Sequence, residues 1–472
     1  MDKYVEIPTR ELNQLMFPQP KNKTPFGIKK TIYADFIASG RPSPVIEEYI
    51  SENIYGKYSN THSNADNGIF MKNSIKRVRQ IVKQEYNVGD DYEILFKGSG
   101  CTGAVNHLID SLDYARYNRV FVFISAYEHY SNHLPWLELV KSNPTKFQLH
   151  VIPLTEQNEL DMSWFENRLS DINKTKKVLN KRGNNQTLLI TSIIHCSNLF
   201  GYFTPVKQIR HLLDFYNRDL NSAGNRTLFL CDLACSAPYV KINGNMFDAF
   251  FLSPHKFVGG VETPGLLVAK TCLFQKDHPT EPGGSCIKKT HYNEIEYSTD
   301  IETRESAGTP NIIGIIKIGL CLQLKREYQS IITKNEHLLL NIIKERTRHF
   351  QQEYSNFRCI EYGGQIKRLP IFSFSITGIH YNLVVVLLND LFGIQSRGGR
   401  ACDGLLSDYV KDKYGIDGFC RISLHWTMNR KTVDYIFKSI EHLLRKGETY
   451  KPLYAYNNKE NLFHFIQHQS RK

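Results

Sequence analysis

The segment that decides the fold is Phe247-Asp248-Ala249-Phe250-Phe251-Leu252-Ser253-Pro254-His255-Lys256. Its apolar residues, 249 to 252, predict a buried strand, and the polar residues after them predict a loop that ends at Lys256, shortly before Gly259-Gly260. A lysine amine held at the end of a buried strand is available to condense with a carbonyl group. A surface lysine beside a turn is the alternative, so the interpretation depends on the residues that accompany Lys256.

Other parts of the chain predict a sheet around this strand. Nearly continuous apolar runs predict further buried strands at 94–96, 120–124, 188–194, 227–231 and 266–268. Periodic stretches between several of them predict helices at 75–86, 103–114 and 206–216. This alternation is typical of an α/β fold with a mostly parallel, doubly wound sheet, in which ligands bind at the carboxyl ends of the strands. The residues that fall at such ends are Thr102, His129, Asp232 and Lys256.

Five short motifs in this region carry a family resemblance. Ser253-Pro254-His255-Lys256 resembles the Ser-x-His-Lys motif of the class V aminotransferases, a group of fold-type I pyridoxal phosphate enzymes that contains cysteine desulfurases and selenocysteine lyases. The other four segments match in the same order along the chain: 128–136, 195–201, 231–234 and 307–311. The resemblance implies a large domain that binds pyridoxal 5'-phosphate and a smaller α+β domain.

The resemblance also implies how the cofactor is held. Lys256 would bind its aldehyde, Asp232 would keep its pyridine nitrogen protonated, and His129 would stack over its ring and help to move protons. The remaining contacts implied are Asn198 at the phenolic oxygen, with Thr102, Cys101, Ser253 and His255 around the phosphate, and Thr309 reaching the phosphate of the neighbouring subunit in a homodimer. Cys235 stands where the family usually has a glutamine, so one donor to the phenolic oxygen is missing.

The segment Gly98-Ser99-Gly100-Cys101-Thr102-Gly103 also spells the Gly-x-Gly-x-x-Gly pattern of dinucleotide-binding folds. The next predicted strand ends at Ser125 without an acid that could bind a ribose hydroxyl, and the segment matches the family's phosphate turn better. Both interpretations predict that backbone N–H groups at the start of a helix bind phosphate.

Two C-terminal segments concern the reaction. Arg421 resembles the small-domain arginine that binds the substrate carboxylate. The segment Ser396-Arg397-Gly398-Gly399-Arg400-Ala401-Cys402 resembles the desulfurase loop Arg-x-Gly-x-x-Cys, whose cysteine takes sulfur from the substrate, and Arg397 is a further candidate substrate contact. Glycines would make this loop mobile and arginines would favour a thiolate, whereas Asp403, next to Cys402, would oppose it.

The sequence therefore predicts an enzyme that converts cysteine to alanine and leaves the sulfur as a persulfide on Cys402. A protein that accepts this sulfur is an expected partner. Two alternatives stay open: a class V aminotransferase, lyase or epimerase that forms no persulfide, and a cofactor-binding protein without turnover.

Composition limits the other possibilities. Among 472 residues, 41% are hydrophobic, but no apolar run is long enough to cross a membrane and the first 30 residues do not resemble a signal peptide. The net charge of +12 is spread along the chain, so nucleic-acid binding is not expected. The ten cysteines lack the paired spacings of a metal site or a disulfide framework, so we expect a cytoplasmic protein without a structural metal.

The predicted domain organisation has four parts. Residues 1–44 are expected to pack with the small domain, 45–311 to form the large cofactor-binding domain, 312–447 to form the small domain, and 448–472 to be an extension. A Lys- and Asn-rich stretch at 170–186 is predicted to be an exposed loop.

Overall fold

The computed structural model describes residues 11–180, 186–217, 226–292, 294–360 and 367–466. The chain forms two compact units. Unit 1 contains the residues up to Met16, Gly40–Cys196 and Thr204–Gln329. Unit 2 contains Phe17–Ser39, Ser197–Phe203 and the chain from Ser330 onward.

Unit 1 is built on a seven-stranded sheet. Its strands, in spatial order, are Tyr92–Lys97, Gly265–Lys270, Ala249–Leu252, Arg226–Asp232, Thr187–Ile194, Arg119–Ser125 and Phe147–Ile152. Gly265–Lys270 pairs antiparallel with both neighbours, and the other pairings are parallel. The prediction of a mostly parallel α/β sheet is confirmed. The edge strand Phe147–Ile152 was not predicted because its central residues are only partly buried and its apolar run is broken.

Four helices of this unit, from Gly100–Ser111 to Val206–Asn217, connect strands of the sheet, as expected for parallel pairs, and the others precede or follow the sheet strands. The helices of unit 1 are Pro44–Asn53, Asp66–Tyr86, Gly100–Ser111, Tyr130–Ser142, Met162–Asn180, Val206–Asn217, Ile301–Arg304 and the part of Ile312–Glu353 up to Gln329. The prediction of an exposed loop from residue 170 is wrong up to Asn180. Phe165, Leu169 and Ile172 are buried at helical spacing, which extends the helix through this polar stretch. Residues 181–185 lie outside the described residues.

Unit 2 contains a four-stranded antiparallel sheet in the order Phe357–Cys359, Ile371–Ile376, Phe419–Ser423, Arg397–Gly399. Its helices are Tyr381–Phe392, Gly404–Tyr414, Arg430–Lys446 and the second part of Ile312–Glu353. Buried side chains such as Phe372, Phe374 and Phe437 form its core.

Short strands near the chain ends and in unit 1 complete the structure. Ile32–Tyr33 pairs in parallel with Ile394–Gln395. Three hairpins are formed by Lys21–Thr24 with Gly27–Lys30, Ile287–His291 with Glu294–Tyr297, and Tyr454–Asn457 with Leu462–Phe465. In the described parts of the chain, no helix is both long and apolar enough to span a membrane.

Candidate active site

Lys256 and Asp232 lie at the ends of neighbouring strands in unit 1. The strand Ala249–Leu252 is followed by Ser253 and a single helical turn, Pro254–Lys256, and Lys256 is half-buried. Asp232 is the last residue of the adjacent parallel strand and is buried. Burial raises the pKa of Asp232 above its ordinary value, while the hydrogen bond from Ala234 N and the charge of Lys256 oppose this rise.

Cys101 contacts Asp232. Its Sγ lies 3.2 Å from Asp232 Oδ1, which also accepts a hydrogen bond from Ala234 N at 2.8 Å. Burial, followed by the nearby Asp232 charge, raises the pKa of the Cys101 thiol well above its ordinary value, so the sulfur donates rather than accepts. Among the described residues, the hydrogen bonds accepted by Asp232 end on Oδ1, which leaves Oδ2 for another donor. Cys101 was predicted near the phosphate, but its side chain lies on the acid.

The turn before the helix Gly100–Ser111 packs closely against the loop that carries Lys256. Cys101 N donates to Ser253 Oγ at 2.9 Å. Gly100 has φ of +57°, and a Cβ there would lie 2.8 Å from Ser253 Oγ and 2.9 Å from His255 Cε1. Glycine therefore allows the helix start, Ser253 and His255 to meet, as a phosphate cradle requires. Burial and then the charge of Lys256 lower the pKa of His255 to about 4, so its ring is neutral at pH 7.

His129 and Thr102 are joined through a serine that was not predicted. His129 is the N-cap of Tyr130–Ser142, where its Nδ1 accepts from Ser131 N at 3.1 Å. Ser131 Oγ lies 3.0 Å from His129 Nδ1 and 2.7 Å from Thr102 Oγ1. Ser131 belongs to the motif that identified His129, and its position two residues later in that motif was the available signal.

Glu128 is the second unpredicted residue. It is fully buried, and its Oε1 accepts from Ser125 N, Ser125 Oγ and Ile194 N at 3.3, 2.5 and 2.7 Å. Its Oε2 accepts from Asn132 Nδ2 at 2.8 Å. Burial raises its pKa to about 8 although these donors lower it. Glu128 thus ties the ends of two sheet strands to the helix that His129 begins.

These residues fit a pyridoxal phosphate group. Asp232 Oδ2 is an available acceptor for a pyridine N–H, and the close approach at Gly100 brings hydroxyl, imidazole and helix N–H donors together for a phosphate. Lys256 is at the strand end where an amine is required. Thr309, by contrast, is exposed and accepts from Asn60 Nδ2 at 3.2 Å, so this chain does not bring it to the same cluster.

Unit 2 contains the remaining predicted residues. Arg421 is buried, and its Nη1 donates to Asn198 O at 3.0 Å while its Nη2 donates to Asp35 Oδ1 at 2.7 Å. Asn198 Nδ2 donates to Ala401 O at 2.7 Å, so Asn198 joins the arginine to the cysteine loop. In the described residues, Asn198 Oδ1 is buried without a hydrogen-bond partner. Its predicted contact with the cofactor's phenolic oxygen stays a prediction.

The loop that carries Cys402 has an unusual backbone. Ala401 and Cys402 have φ values of +51° and +59°, a region that residues with a Cβ seldom adopt and that costs energy. Arg397 Nη2 donates to the half-buried Cys402 Sγ at 3.0 Å, so Arg397 contacts the thiol. Arg400, expected to favour the thiolate too, is paired with Asp408 at 2.7 Å. Asp403 Oδ1 caps the next helix by accepting from Leu406 N.

A cavity of about 660 Å³ in unit 1 is lined by residues of Asp66–Tyr86 and Ile312–Glu353, among others. None of the predicted site residues lines it. We therefore place the candidate chemistry at the strand ends, where the polar side chains converge.

Comparisons with known proteins agree on one family. A family model described as aminotransferase class-V matches residues 32–436. The chain is 26% identical over 417 residues to a probable cysteine desulfurase of Halalkalibacterium halodurans, covering 87% of this chain and 92% of that protein. It is 28% identical over 432 residues to a cysteine desulfurase of Wigglesworthia glossinidia brevipalpis, covering 87% and 92%. The solved cysteine desulfurase of Thermococcus onnurineus NA1 has a TM-score of 0.72 at 21% identity, covering 88% of this chain and 95% of that one, and supports the fold.

Proposed function

The chain belongs to the aminotransferase class-V family, and from that premise we propose that it is a pyridoxal phosphate-dependent cysteine desulfurase. The observation that carries the choice of reaction is the contact between the Arg397 guanidinium and Cys402 Sγ, on a loop with two successive left-handed residues. Reactive cysteines are found where a partly exposed sulfur lies beside a cation, as Cys402 does here. The relatives named cysteine desulfurases support the same choice.

Unit 1 residues would hold the cofactor. Lys256 would bind its aldehyde, Asp232 Oδ2 would accept from its pyridine nitrogen, and the start of Gly100–Ser111 with Ser253 and His255 would bind its phosphate. When bound, the cofactor withdraws electrons from the Cα of an amino acid. A positive group at Asp232 would hold this carboxylate ionised, because a nearby charge of opposite sign lowers an acid's pKa.

The chain's own groups would then perform two transfers. Lys256 Nζ takes the Cα proton of cysteine, and His129, which follows the strand two positions from that of Asp232 in the sheet, is a second proton carrier. The Cys402 thiolate attacks the substrate sulfur, which breaks the Cβ–S bond and forms an S–S bond. Protonation of the remaining carbon skeleton gives alanine, and the sulfur is left on Cys402 for an acceptor protein. Arg421 would bind the substrate carboxylate.

The test measures alanine, enzyme-bound persulfide and keto acid together after cysteine is added. We expect alanine and persulfide in equal amounts from the parent. Cys402→Ser should retain the cofactor spectrum and lose persulfide, whereas Cys359→Ser, which changes another half-buried cysteine of unit 2, should behave like the parent. If the parent forms only keto acid, or if Cys402→Ser releases sulfur at the parental rate, an aminotransferase or lyase replaces this proposal.

We also infer a homodimer in the cytoplasm. Support for the dimer is the exposed position of Thr309, which the resemblance assigns to the phosphate of a second subunit. Support for the compartment is that none of the ten cysteines, all of which lie in the described residues, is in a disulfide, as in reducing conditions.

A further inference from the structure

Arg421 is held by an acid that the sequence did not predict. Asp35 Oδ1 accepts from Arg421 Nη2 at 2.7 Å, and the side chains are 17% and 2% exposed. The second terminal nitrogen, Nη1, donates to the carbonyl oxygen of Asn198 at 3.0 Å. In the described residues, Arg421 Nε is buried and makes no hydrogen bond. Two of the five guanidinium N–H groups are therefore engaged, and the Nε–H is among those that remain for a further acceptor.

The backbone fixes Asp35 independently of the arginine. Ser423 N donates to Ala34 O at 2.8 Å, and Ile37 N donates to Ser423 Oγ at 3.2 Å. Asp35 itself forms a parallel bridge with Ser423, which follows Arg421 by two residues on the same strand. The carboxylate thus belongs to a segment that is tied to the strand of Arg421, and its position does not depend on a long flexible side chain.

The charge of this pair has a consequence for binding. The charges of Asp35 and Arg421 cancel, so the pair as a whole attracts an anion only weakly. Binding of a carboxylate therefore depends mainly on the direction in which the N–H groups of Arg421 point. Recognition of a carboxylate by arginine depends on the plane of the guanidinium. Without the Asp35 carboxylate, the buried guanidinium of Arg421 could rotate, and its burial as an unpaired charge would cost free energy.

We propose that Asp35 is a positioning residue that orients Arg421 for the α-carboxylate of the amino-acid substrate and so sets selectivity for that group. This inference rests on the proposed role of Arg421 as the substrate's carboxylate contact. Asp35 need not touch the substrate. Two other roles make different predictions: an acid that competes with the substrate for Arg421, and an acid that only anchors the N-terminal segment.

The experiment compares two ligands that differ in the carboxylate. Binding of L-alanine and of ethylamine, which is L-alanine without its carboxylate, to the holoenzyme is followed by the absorbance of the bound cofactor, in a Cys402→Ser background so that no sulfur is transferred. The variants are Asp35→Asn, which keeps the shape and removes the charge, and the control Tyr33→Phe. Tyr33 OH donates to the carbonyl oxygens of Asp35 and Ser39 at 3.1 and 2.9 Å, so this control loosens the same segment without changing the acid.

We expect Asp35→Asn to weaken L-alanine binding about tenfold or more, as for loss of a charged hydrogen bond, and to change ethylamine binding less than about twofold. Tyr33→Phe should leave the ratio between the ligands unchanged. Tighter L-alanine binding by Asp35→Asn would show competition, and equal weakening of both ligands would show anchoring; either result overturns the proposal. If Asp35→Asn does not fold, Asp35→Glu is measured instead. We then expect a partial loss of the same selectivity, and an unchanged ratio between the two ligands would refute the proposal.

This experiment measures binding and not sulfur transfer. A parent that makes keto acid without persulfide would therefore refute the desulfurase proposal and leave this result intact.

Discussion

Replacement of Glu128 tests whether the buried hydrogen-bond network of Glu128, Ser125 and Asn132 stabilises unit 1. Glu128→Ala would leave four donors without an acceptor: Ser125 N, Ser125 Oγ, Ile194 N and Asn132 Nδ2. Each buried donor left unsatisfied costs about 1–3 kcal/mol, so we expect the free energy of unfolding to fall by about 4 kcal/mol or more. The cavity left in a fully buried position adds to this loss.

The assay is urea denaturation followed by tryptophan fluorescence, because Trp136 Nε1 donates to Asn132 Oδ1 within the same network. The matched control is Glu138→Ala on the helix Tyr130–Ser142, which begins just after Glu128. The Glu138 side chain is 67% exposed and pairs with Lys141, and an exposed pair contributes about 0–1 kcal/mol. We also expect Glu128→Ala to lose cofactor more readily than the parent, because the start of the helix that His129 caps is loosened. A stability within about 1 kcal/mol of the Glu138→Ala control would refute the network's role.

The pH dependence of Glu128→Gln follows from the direction of the shift. The folded pKa of Glu128, about 8, lies above the ordinary value of 4.5, so the folded protein binds this proton more tightly than the unfolded chain does. The stability due to this proton is complete below pH 4.5 and is lost as the pH rises through 8. The destabilisation by Glu128→Gln relative to the parent should therefore shrink from about pH 5 to about pH 8. A constant difference over this range would contradict the shifted pKa.

Three further predictions concern other residues. Lys256→Ala should abolish the absorbance of the lysine-bound cofactor, whereas the control Lys270→Ala should retain it. Borohydride reduction and peptide mapping of the parent should place the pyridoxyl group on Lys256, and a label on another lysine would contradict the assignment. Glu336 is buried with neither carboxyl oxygen hydrogen-bonded in the described residues, and burial raises its pKa well above the ordinary 4.5. The free energy of unfolding of the parent should then fall as the pH rises above about 4.5. In denaturation experiments from about pH 5 to 8, the stability of Glu336→Gln relative to the parent should increase by up to about 1.4 kcal/mol per pH unit. If it does not increase, the acid is solvated. Thr309→Ala should weaken cofactor binding in the dimer, measured by dialysis and gel filtration, and a monomeric parent that binds cofactor tightly would exclude the shared site.

The sequence alone was sufficient to predict six of the seven strands of the sheet and the strand ends at which Lys256 and Asp232 lie. Continuous apolar runs such as 249–252 and 188–194 determine buried parallel strands, because such strands are covered on both faces and need no polar alternation. Once strand ends are known, Lys256 and Asp232 must lie along one edge of the sheet. The prediction for the polar stretch after residue 170 was wrong, because the helix begins before it, buries Phe165, Leu169 and Ile172 at helical spacing, and continues to Asn180 despite the Lys- and Asn-rich composition.

Tertiary structure alone decided which partner each functional side chain has. Asp35 and Arg421 are 386 residues apart, and Cys101 and Asp232 are 131 apart, so no local pattern indicates either contact. The motif placed Cys101 near a phosphate, whereas the packing of the helix Gly100–Ser111 against the end of the Asp232 strand places its thiol on the carboxylate. Arg400 and Arg397 look equivalent in sequence, but the first pairs with Asp408 and the second reaches Cys402. The spacing of apolar residues specifies a helix or strand and its buried face. The pairing of side chains depends on how elements far apart in the chain pack together, and the local sequence does not contain that information.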